Sequence, residues 1–307
     1  MKKNWKVLAA MFVGSSMMMI SCGGGDADKK EEKKETKEVT KPVEDVDTTT
    51  NDVMEYDPEM TYAVPTPNEL FAVLKEIQLP FKPELMNPVA NVDNYTDKSS
   101  QSLNLGVYFA DLAMDGNLNE AKNSTEYIKS VLKLGEALNI TGAFDDAIID
   151  KLTSGGSTEE MAELSNDTYY DAYSYLEENQ RGATLSMIVI GGWVESLYLM
   201  SHSGEFEENG DFAAIVADQK LTMENLMGYL MEYQDDEEVM GVMEEMIELD
   251  EFFMNLEEEG ESELTTSEEE GVYILSGGAE TKISAEDFTT LKTLVSDLRN
   301  AIINAEI

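Results

Sequence analysis

A largely apolar segment at residues 183–200 restricts the fold more than any other feature of this sequence. It contains 18 residues, and Glu195 is the only charged one. A helix of this length could span a membrane, or it could be a core helix buried on most sides. We favour the core helix, because Gly191 and Gly192 would let a neighbouring helix approach closely and Trp193 would fill the space beside that contact. The segment therefore predicts the central helix of an α-helical fold.

Two later segments have the apolar spacing of amphipathic helices. In each of them, apolar residues recur at intervals of 3, 4, 3, 4 and 3, which places them on one face of a helix. The sequence also has 19 methionines and only seven prolines, as expected for helices. We predict an all-α, multi-helix bundle of about eight to ten helices. The apolar positions are Val239, Val242, Met246, Leu249, Phe253 and Leu256 in one segment, and Phe288, Leu291, Val295, Leu298, Ile302 and Ala305 in the other.

Local signals predict where other elements begin and end. Thr66, Pro67 and Glu69 form the pattern of a capping box at the start of a helix. Gly204 would end the central helix in the left-handed conformation. Further helices are expected at 99–114, 120–138, 143–153 and 157–175. The pattern near 272–283 also allows a small β-hairpin that turns at Gly277-Gly278.

The N-terminus has the pattern of a lipoprotein signal peptide. A basic segment, MKKNWK, precedes apolar residues 7–20, which are too few to span a bilayer comfortably, and Ser21 and Cys22 follow. This order resembles the lipobox of bacterial lipoproteins, with Met19 at the position usually held by leucine. The resemblance implies cleavage before Cys22 and attachment of acyl chains, such as palmitate, to that residue. A generic secretory signal with an incidental cysteine is the alternative.

The segment after Cys22 predicts a tether. Cys22 is the only cysteine, so its acylation would leave no thiol for a nucleophile, a metal or a disulfide. Residues 22–60 are rich in charged residues and poor in apolar ones, which is typical of disorder. Early acidic residues there resemble surface-export signals of Bacteroidota lipoproteins, and both faces of the outer membrane remain open. We therefore predict a signal peptide at 1–21, a charged, disordered tether at 22–60, and an acidic all-α domain at 61–307.

Net charge restricts the partners of this domain. The chain has 21 basic and 63 acidic side chains, and residues 61–307 have 12 and 50 of these. Such a surface repels nucleic acids and anionic lipid headgroups and attracts cations. The most acidic part is 221–281, with 20 acids and no Lys or Arg. It is either a solvated face or a docking surface for a basic protein or for divalent cations such as Ca²⁺.

Two acids are expected to point inward, because apolar residues surround them in the sequence. Asp111 and Glu195 would then need a partner or a proton. We predict an internal polar network in which Arg181 is that partner. The alternative is a hydrolase with a pair of carboxylates in a cleft. A pocket with two facing acids, raised pKa values and no cation would favour the enzyme.

A second group of polar residues partly matches a calcium loop. Asp115, Asn117, Asn119 and Glu126 fall at positions 1, 3, 5 and 12 of an EF-hand pattern. The pattern fails at position 6, where the required glycine is replaced by Glu120. The other interpretation is a polar turn between two helices, and the metal site is therefore a weak hypothesis.

The single histidine offers little support for catalysis. His202 falls in the last turn of the central helix, and no motif of a serine hydrolase or a zinc protease accompanies it. We interpret it as a helix C-terminal residue that the helix dipole favours in its charged form. No catalytic residue and no cofactor is assigned.

Two segments resemble known proteins. LNLGVYFADLA at 103–113 and GGWVESLYL at 191–199 are similar to segments of uncharacterised helical lipoproteins of Bacteroidota. The resemblance extends over most of 61–307 and implies an all-α fold behind a lipidated tether, without implying any activity. From these observations we expect a lipoprotein of the cell envelope, held at the membrane by its lipid, that acts as a non-enzymatic binding module. A Ca²⁺-binding module and a carboxylate hydrolase are the alternatives.

Overall fold

Nine α-helices make up most of the part of the chain that the structure describes. This computed structural model describes residues 65–119, 122–144, 158–260, 263–266, 273–276 and 280–307, all of them within the compact unit Met54–Ile307. The fold is the predicted all-α bundle. The predicted signal peptide, the tether and most of the helix predicted at 143–153 lie outside these residues. The helices are α1 (Pro67–Glu76), α2 (Lys98–Leu118), α3 (Ser124–Ala137), α4 (Thr158–Glu178), α5 (Gly182–Ser203), α6 (Asp211–Ala217), α7 (Gln219–Met231), α8 (Glu237–Met254) and α9 (Ala285–Ile303).

Helices α2 and α5 form the centre of the bundle, and glycines bring them together. A Cβ atom added to Gly191 would lie 1.9 Å from the carbonyl oxygen of Leu103, and one added to Gly106 would lie 1.9 Å from that of Ile188. No other residue type fits at these two positions without moving a backbone. The predicted close approach at Gly191 is confirmed. Trp193 packs beside it against Phe253 of α8, with the ring centroids 6.1 Å apart.

Helix α5 is buried by the helices around it. Among the described residues it is long and apolar enough to cross a membrane, but 89% of its most apolar stretch is buried inside the protein. Helices α1, α2, α4, α7, α8 and α9 all contact it. A helix that is apolar on all sides is expected in the core of a large fold, and the prediction of a buried central helix is confirmed.

Side-chain caps define the starts of several helices. The Thr66 hydroxyl accepts a hydrogen bond from the Glu69 amide, and the Glu69 carboxylate accepts one from the Thr66 amide, as predicted. Ser284 and Asp287 form the same capping box at α9. Asp236 caps α8 by accepting from the amides of Glu238 and Val239. Such caps satisfy amide groups that have no partner within the helix.

The predicted apolar faces of α8 and α9 are buried in the bundle, and these two helices pack against each other and against α5. In each helix, five of the six predicted positions lie inside the helix and are buried. The sixth position of α8, Leu256, lies just beyond the helix end and is also buried. Ala305 lies beyond the end of α9, where its φ is 55°. The 3–4 spacing therefore identified the packed faces correctly.

The small β-structure lies between α8 and α9. Strands β2 (Glu263–Thr266) and β3 (Tyr273–Ser276) are antiparallel partners, with Leu264 opposite Leu275. Strands β1 (Glu258–Glu259) and β4 (Glu280–Thr281) form a second antiparallel pair outside them. A small antiparallel hairpin is therefore present, and the partner of β3 precedes it in the chain. The turn predicted at Gly277-Gly278 lies outside the described residues.

The end of α5 also differs from the prediction. Gly204 has φ −74° and ψ 153°, which is extended and not left-handed backbone. A Cβ atom added there would lie 2.3 Å from the ring of Phe212. The packing of that ring, which the sequence did not reveal, is the reason that a glycine fits at this position.

Candidate functional site

A buried network of charged side chains joins helices α2, α5 and α9. Asp111 lies on α2, Glu195 on α5 and Arg299 on α9, and both carboxyl groups are inaccessible to solvent. Arg299 is 6% exposed. The structure therefore brings together the two acids that the sequence predicted to point inward.

Arg299 holds Glu195 with two hydrogen bonds. Its Nε donates to Oε2 at 2.8 Å and its Nη2 donates to Oε1 at 3.0 Å. The same Nη2 also donates to the carbonyl oxygen of Leu85 at 3.1 Å, and the guanidinium lies 4.5 Å from the ring centroid of Tyr198. A two-point contact of this kind fixes both distance and orientation. The pair thus sets the position of α9 relative to α5.

The second acid, Asp111, is placed so that it keeps a proton. Its Oδ2 accepts from the amide of Asn87 at 3.1 Å, and its Oδ1 is buried without a donor among the described residues. Burial and the neighbouring Glu195 raise the pKa of Asp111 well above its ordinary value, and the two carboxyl groups share a hydrogen bond. Burial also raises the pKa of Glu195, which Arg299 opposes. The proton therefore belongs to Asp111, since Glu195 has the arginine.

Arg181 is not the partner that the sequence predicted. Its guanidinium donates to the carbonyl oxygens of Leu138 and Asn139, at the end of α3. It immediately precedes α5, 14 residues before Glu195 on the same helix, which corresponds to roughly 21 Å at 1.5 Å per residue. An arginine side chain cannot cover that distance.

Arg299 was missed although the sequence carried a signal for it. The chain has only two arginines. Arg299 follows Val295 by four residues and precedes Ile302 by three, so it falls on the buried face of α9. A charged residue on such a face needs an opposite charge, and this would have favoured it over Arg181.

The surroundings of the acid pair do not resemble an active site. The network is extended by Asn87, whose Nδ2 donates to the hydroxyl of Tyr95 at 3.0 Å, and by Tyr108, whose hydroxyl donates to the carbonyl oxygen of Pro88. Burial raises the pKa of both tyrosines. The acids are sealed from solvent and face a cation. The criterion stated for a hydrolase, a pocket with two facing acids and no cation, is therefore not met.

His202 lies at the edge of this network, in the last turn of α5 as predicted. One ring nitrogen contacts the Tyr198 carbonyl oxygen at 2.9 Å and the other contacts Ser296 Oγ at 3.2 Å. Burial lowers the pKa of His202; the hydrogen bond with Tyr198 raises it, and Lys292, Arg299 and Lys82 lower it. The net decrease in pKa favours the neutral ring, so the helix dipole is not the main influence on its charge. Lys82 is the cation at this helix end, because its Nζ donates to the His202 carbonyl oxygen at 2.8 Å.

The residues of the predicted calcium loop are used separately. Asp115 is inside α2, fully buried, and accepts from Asn119 Nδ2, the Asn123 amide and Ser124 Oγ at 2.7, 2.9 and 2.8 Å. It therefore caps the start of α3. Asn117 donates to the carbonyl oxygen of Ala113 and to Asn68 Oδ1, and Glu126 pairs with Lys129. Because Asp115 and Asn117 lie inside α2, they do not belong to an EF-hand loop.

A surface groove between α8 and α9 is the second candidate site. Its volume is about 240 Å³. Four half-buried or buried apolar side chains form its floor: Leu249, Leu294, Leu298 and Ala301. Four exposed acids form its rim: Glu244, Glu245, Glu248 and Asp297. Sequence reasoning recognised the acidic region at 221–281 but not the contribution of α9, because that depends on how the two helices pack.

The carboxylates on the rim of this groove have no cationic partner among the described residues. Within the described residues, none of its four carboxylates forms an ion pair. Nor does the described part of the chain contain three or more Asp, Glu, His or Cys side chains placed to hold one metal ion. The four acids thus share a groove without converging on a single point.

Comparisons with protein-family models, with curated proteins and with solved structures gave no match to this chain.

Proposed function

We propose that this chain is a lipid-anchored protein of the bacterial outer membrane that binds a partner and does not act as an enzyme. The anchor would be Cys22, and the binding domain would be residues 61–307. The observation that supports this proposal most strongly is the location of the acids. Asp111 and Glu195, whose pKa values are raised as catalytic acids often are, are buried in the core beside Arg299. The acids of the groove between α8 and α9 are exposed to solvent.

The buried network supports a structural role for Asp111 and Glu195. A carboxylate pair that hydrolyses a substrate must contact it. Both acids are fully buried and are held by Arg299 and by the backbone of Asn87. Networks of this kind can fix the register of packed helices, which is the role we assign to this one.

The groove supports a binding role. It is concave and has an apolar floor, so a partner could bury surface there, and its charged rim would select for the sign of the partner's charge. Solubility on an acidic cell surface would require charge but not a groove.

Cross-linking in intact cells tests the proposal. We expect the acylated, full-length chain to be cross-linked to a partner, and the double variant Glu244→Lys/Glu248→Lys to lose that product. The matched control is Glu205→Lys/Glu208→Lys, which changes the net charge equally at exposed acids that do not line the groove. The control should retain the product.

Two results would contradict the proposal. One is a partner product that the groove variant and the control retain equally, which would remove the groove from the binding function. The other is turnover of a glycoside or ester by the purified chain that is abolished in Glu195→Gln while the fold, monitored by circular dichroism, is kept. That outcome would show that the buried acids have a catalytic role.

A further inference from the structure

We propose that the groove between α8 and α9 binds a helix of a partner protein that carries Lys or Arg at positions i and i+4 beside an apolar residue. This inference rests on the proposed binding function and names the chemistry of the partner. It follows from the shape of the groove, the spacing of its acids and the distribution of charge around it.

The spacing of the acids matches a helical ligand. Glu244 and Glu248 are four residues apart on α8, so they lie one turn apart on the same side. Cations four residues apart on a second helix have the same spacing. Asp297, on α9, and Glu245 flank the groove and offer further contacts to a cation. A helix laid along the groove could therefore pair with acids on both helices.

The half-buried part of the groove floor favours an apolar group from the ligand. Leu249 and Leu298 are buried beneath it, and Leu294 and Ala301 are half-buried. Inorganic cations and polyamines would leave the exposed parts of Leu294 and Ala301 in contact with water. An amphipathic helix would cover them with an apolar side chain while its charged residues remain at the rim, which is a common mode of peptide recognition.

The charge around the groove selects a basic partner. The residues that line the groove include the acids Glu244, Glu245, Glu248 and Asp297 and no Lys or Arg. An acidic or neutral helix would place its own polar groups against unpaired carboxylates. Because the acids do not converge on one point, an extended set of cations fits them better than a single ion does.

A designed peptide provides a direct test. The probe is an amphipathic helical peptide of leucine and lysine with lysines at i and i+4, and its control has glutamine in place of each lysine. Binding is measured by fluorescence anisotropy to the full chain with Cys22→Ser, which cannot be acylated. We expect saturable binding of the lysine peptide, weaker at higher salt, and none of the glutamine peptide.

Variants of the groove separate specific from general attraction. Glu244→Lys/Glu248→Lys should weaken binding by about tenfold or more, and Glu205→Lys/Glu208→Lys, with the same net charge, should weaken it much less. Ala301→Phe changes no charge and should also weaken binding, because it fills the groove. Thermal unfolding followed by circular dichroism confirms that each variant is folded.

Three outcomes would overturn the inference. Equal losses in the two double variants would mean that attraction is spread over the whole surface. Saturable Ca²⁺ binding that displaces the peptide would make the groove a cation site. Absence of peptide binding, while cross-linking in cells still depends on the groove, would reject the basic helix and leave the proposed binding function intact.

Discussion

At the scale of single residues, Arg299 determines the state of the buried acids. It neutralises Glu195 with two hydrogen bonds, and Asp111 keeps a proton because the described residues place no second cation in the network. Two buried carboxylates beside one arginine would otherwise leave a net negative charge in the core, which is strongly unfavourable. The network is therefore neutral as a whole, and each member depends on the others.

Removal of Arg299 should destabilise the fold far more than removal of a surface cation. Arg299→Met leaves Glu195 buried without its partner, so we expect a loss of about 3–5 kcal/mol in the free energy of unfolding. Lys98→Met breaks an ion pair with Glu238 in which both side chains are 42% exposed, and should cost less than about 1 kcal/mol. Urea denaturation measures both. Similar losses in the two variants would show that the network does not stabilise the packing of α9.

Asp111 should give the folded protein a distinctive dependence on pH. Its folded pKa is above the ordinary value of 3.8, so the folded state holds a proton that the unfolded state releases. The stabilisation is complete below pH 3.8 and is lost as pH rises toward the folded pKa, by about 1.4 kcal/mol per unit.

Asp111→Asn tests this dependence, because asparagine donates a hydrogen bond at every pH. We expect the free energy of unfolding of the wild type, relative to that of the variant, to fall as pH rises above 3.8. The exposed Asp235→Asn controls for the loss of one acid. If the Asp111 and Asp235 variants differ from the wild type in the same way at all pH values, Asp111 has an ordinary pKa.

At the scale of elements, the closest helix pair depends on two glycines, Gly106 and Gly191. At each of them, a backbone carbonyl of the other helix occupies the space of a side chain. The contact excludes larger residues on both sides, and it lets α2 and α5 place Asp111 and Glu195 next to each other. Packing of the backbones and pairing of the acids are therefore parts of one arrangement.

Gly191→Ala should separate the helices and lower the free energy of unfolding by about 2 kcal/mol or more. Gly241→Ala is the matched control, because Gly241 is inside α8 and a Cβ atom there meets nothing within 4 Å. This control should raise stability by about 0.5–1 kcal/mol through the higher helix propensity of alanine. Denaturant unfolding of the two variants distinguishes them, and a stable Gly191→Ala protein would refute the packing argument.

At the scale of the whole molecule, the proposed arrangement places an acidic domain on a lipid anchor. The anchor rests on the lipobox pattern around Cys22, and the charge of 61–307 would keep the domain away from anionic headgroups. Acyl chains contribute about 0.8 kcal/mol per buried CH₂, so two or three chains are enough for stable attachment.

Cys22→Ser should release the protein from the membrane fraction, since serine accepts no thioether-linked lipid. Met19→Leu restores the residue most common at that position of a lipobox and should leave the protein in the membrane fraction. Fractionation followed by immunoblotting measures both, and mass spectrometry of the mature N-terminus should find acyl chains on Cys22. An unmodified Cys22, or cleavage at another bond, would contradict the anchor.

The sequence by itself determined most of the helices, the buried faces of α8 and α9, and the inward direction of Asp111 and Glu195; it did not predict α6 and α7. These features follow from residues within a few turns of each other, through periodicity, caps and a lone acid in an apolar run. The capping box at Thr66 and the faces of α8 and α9 were predicted correctly for this reason.

Only the tertiary structure decided which elements face each other. Arg299 pairs with Glu195 across 104 positions of the chain, β3 pairs with the strand before it, and the acidic groove joins α8 to α9. Local sequence patterns do not identify such partners, because several arrangements of the helices bury the same apolar faces. The glycine contacts between α2 and α5, and the single arginine within reach of Glu195, are what make one of those arrangements the fold.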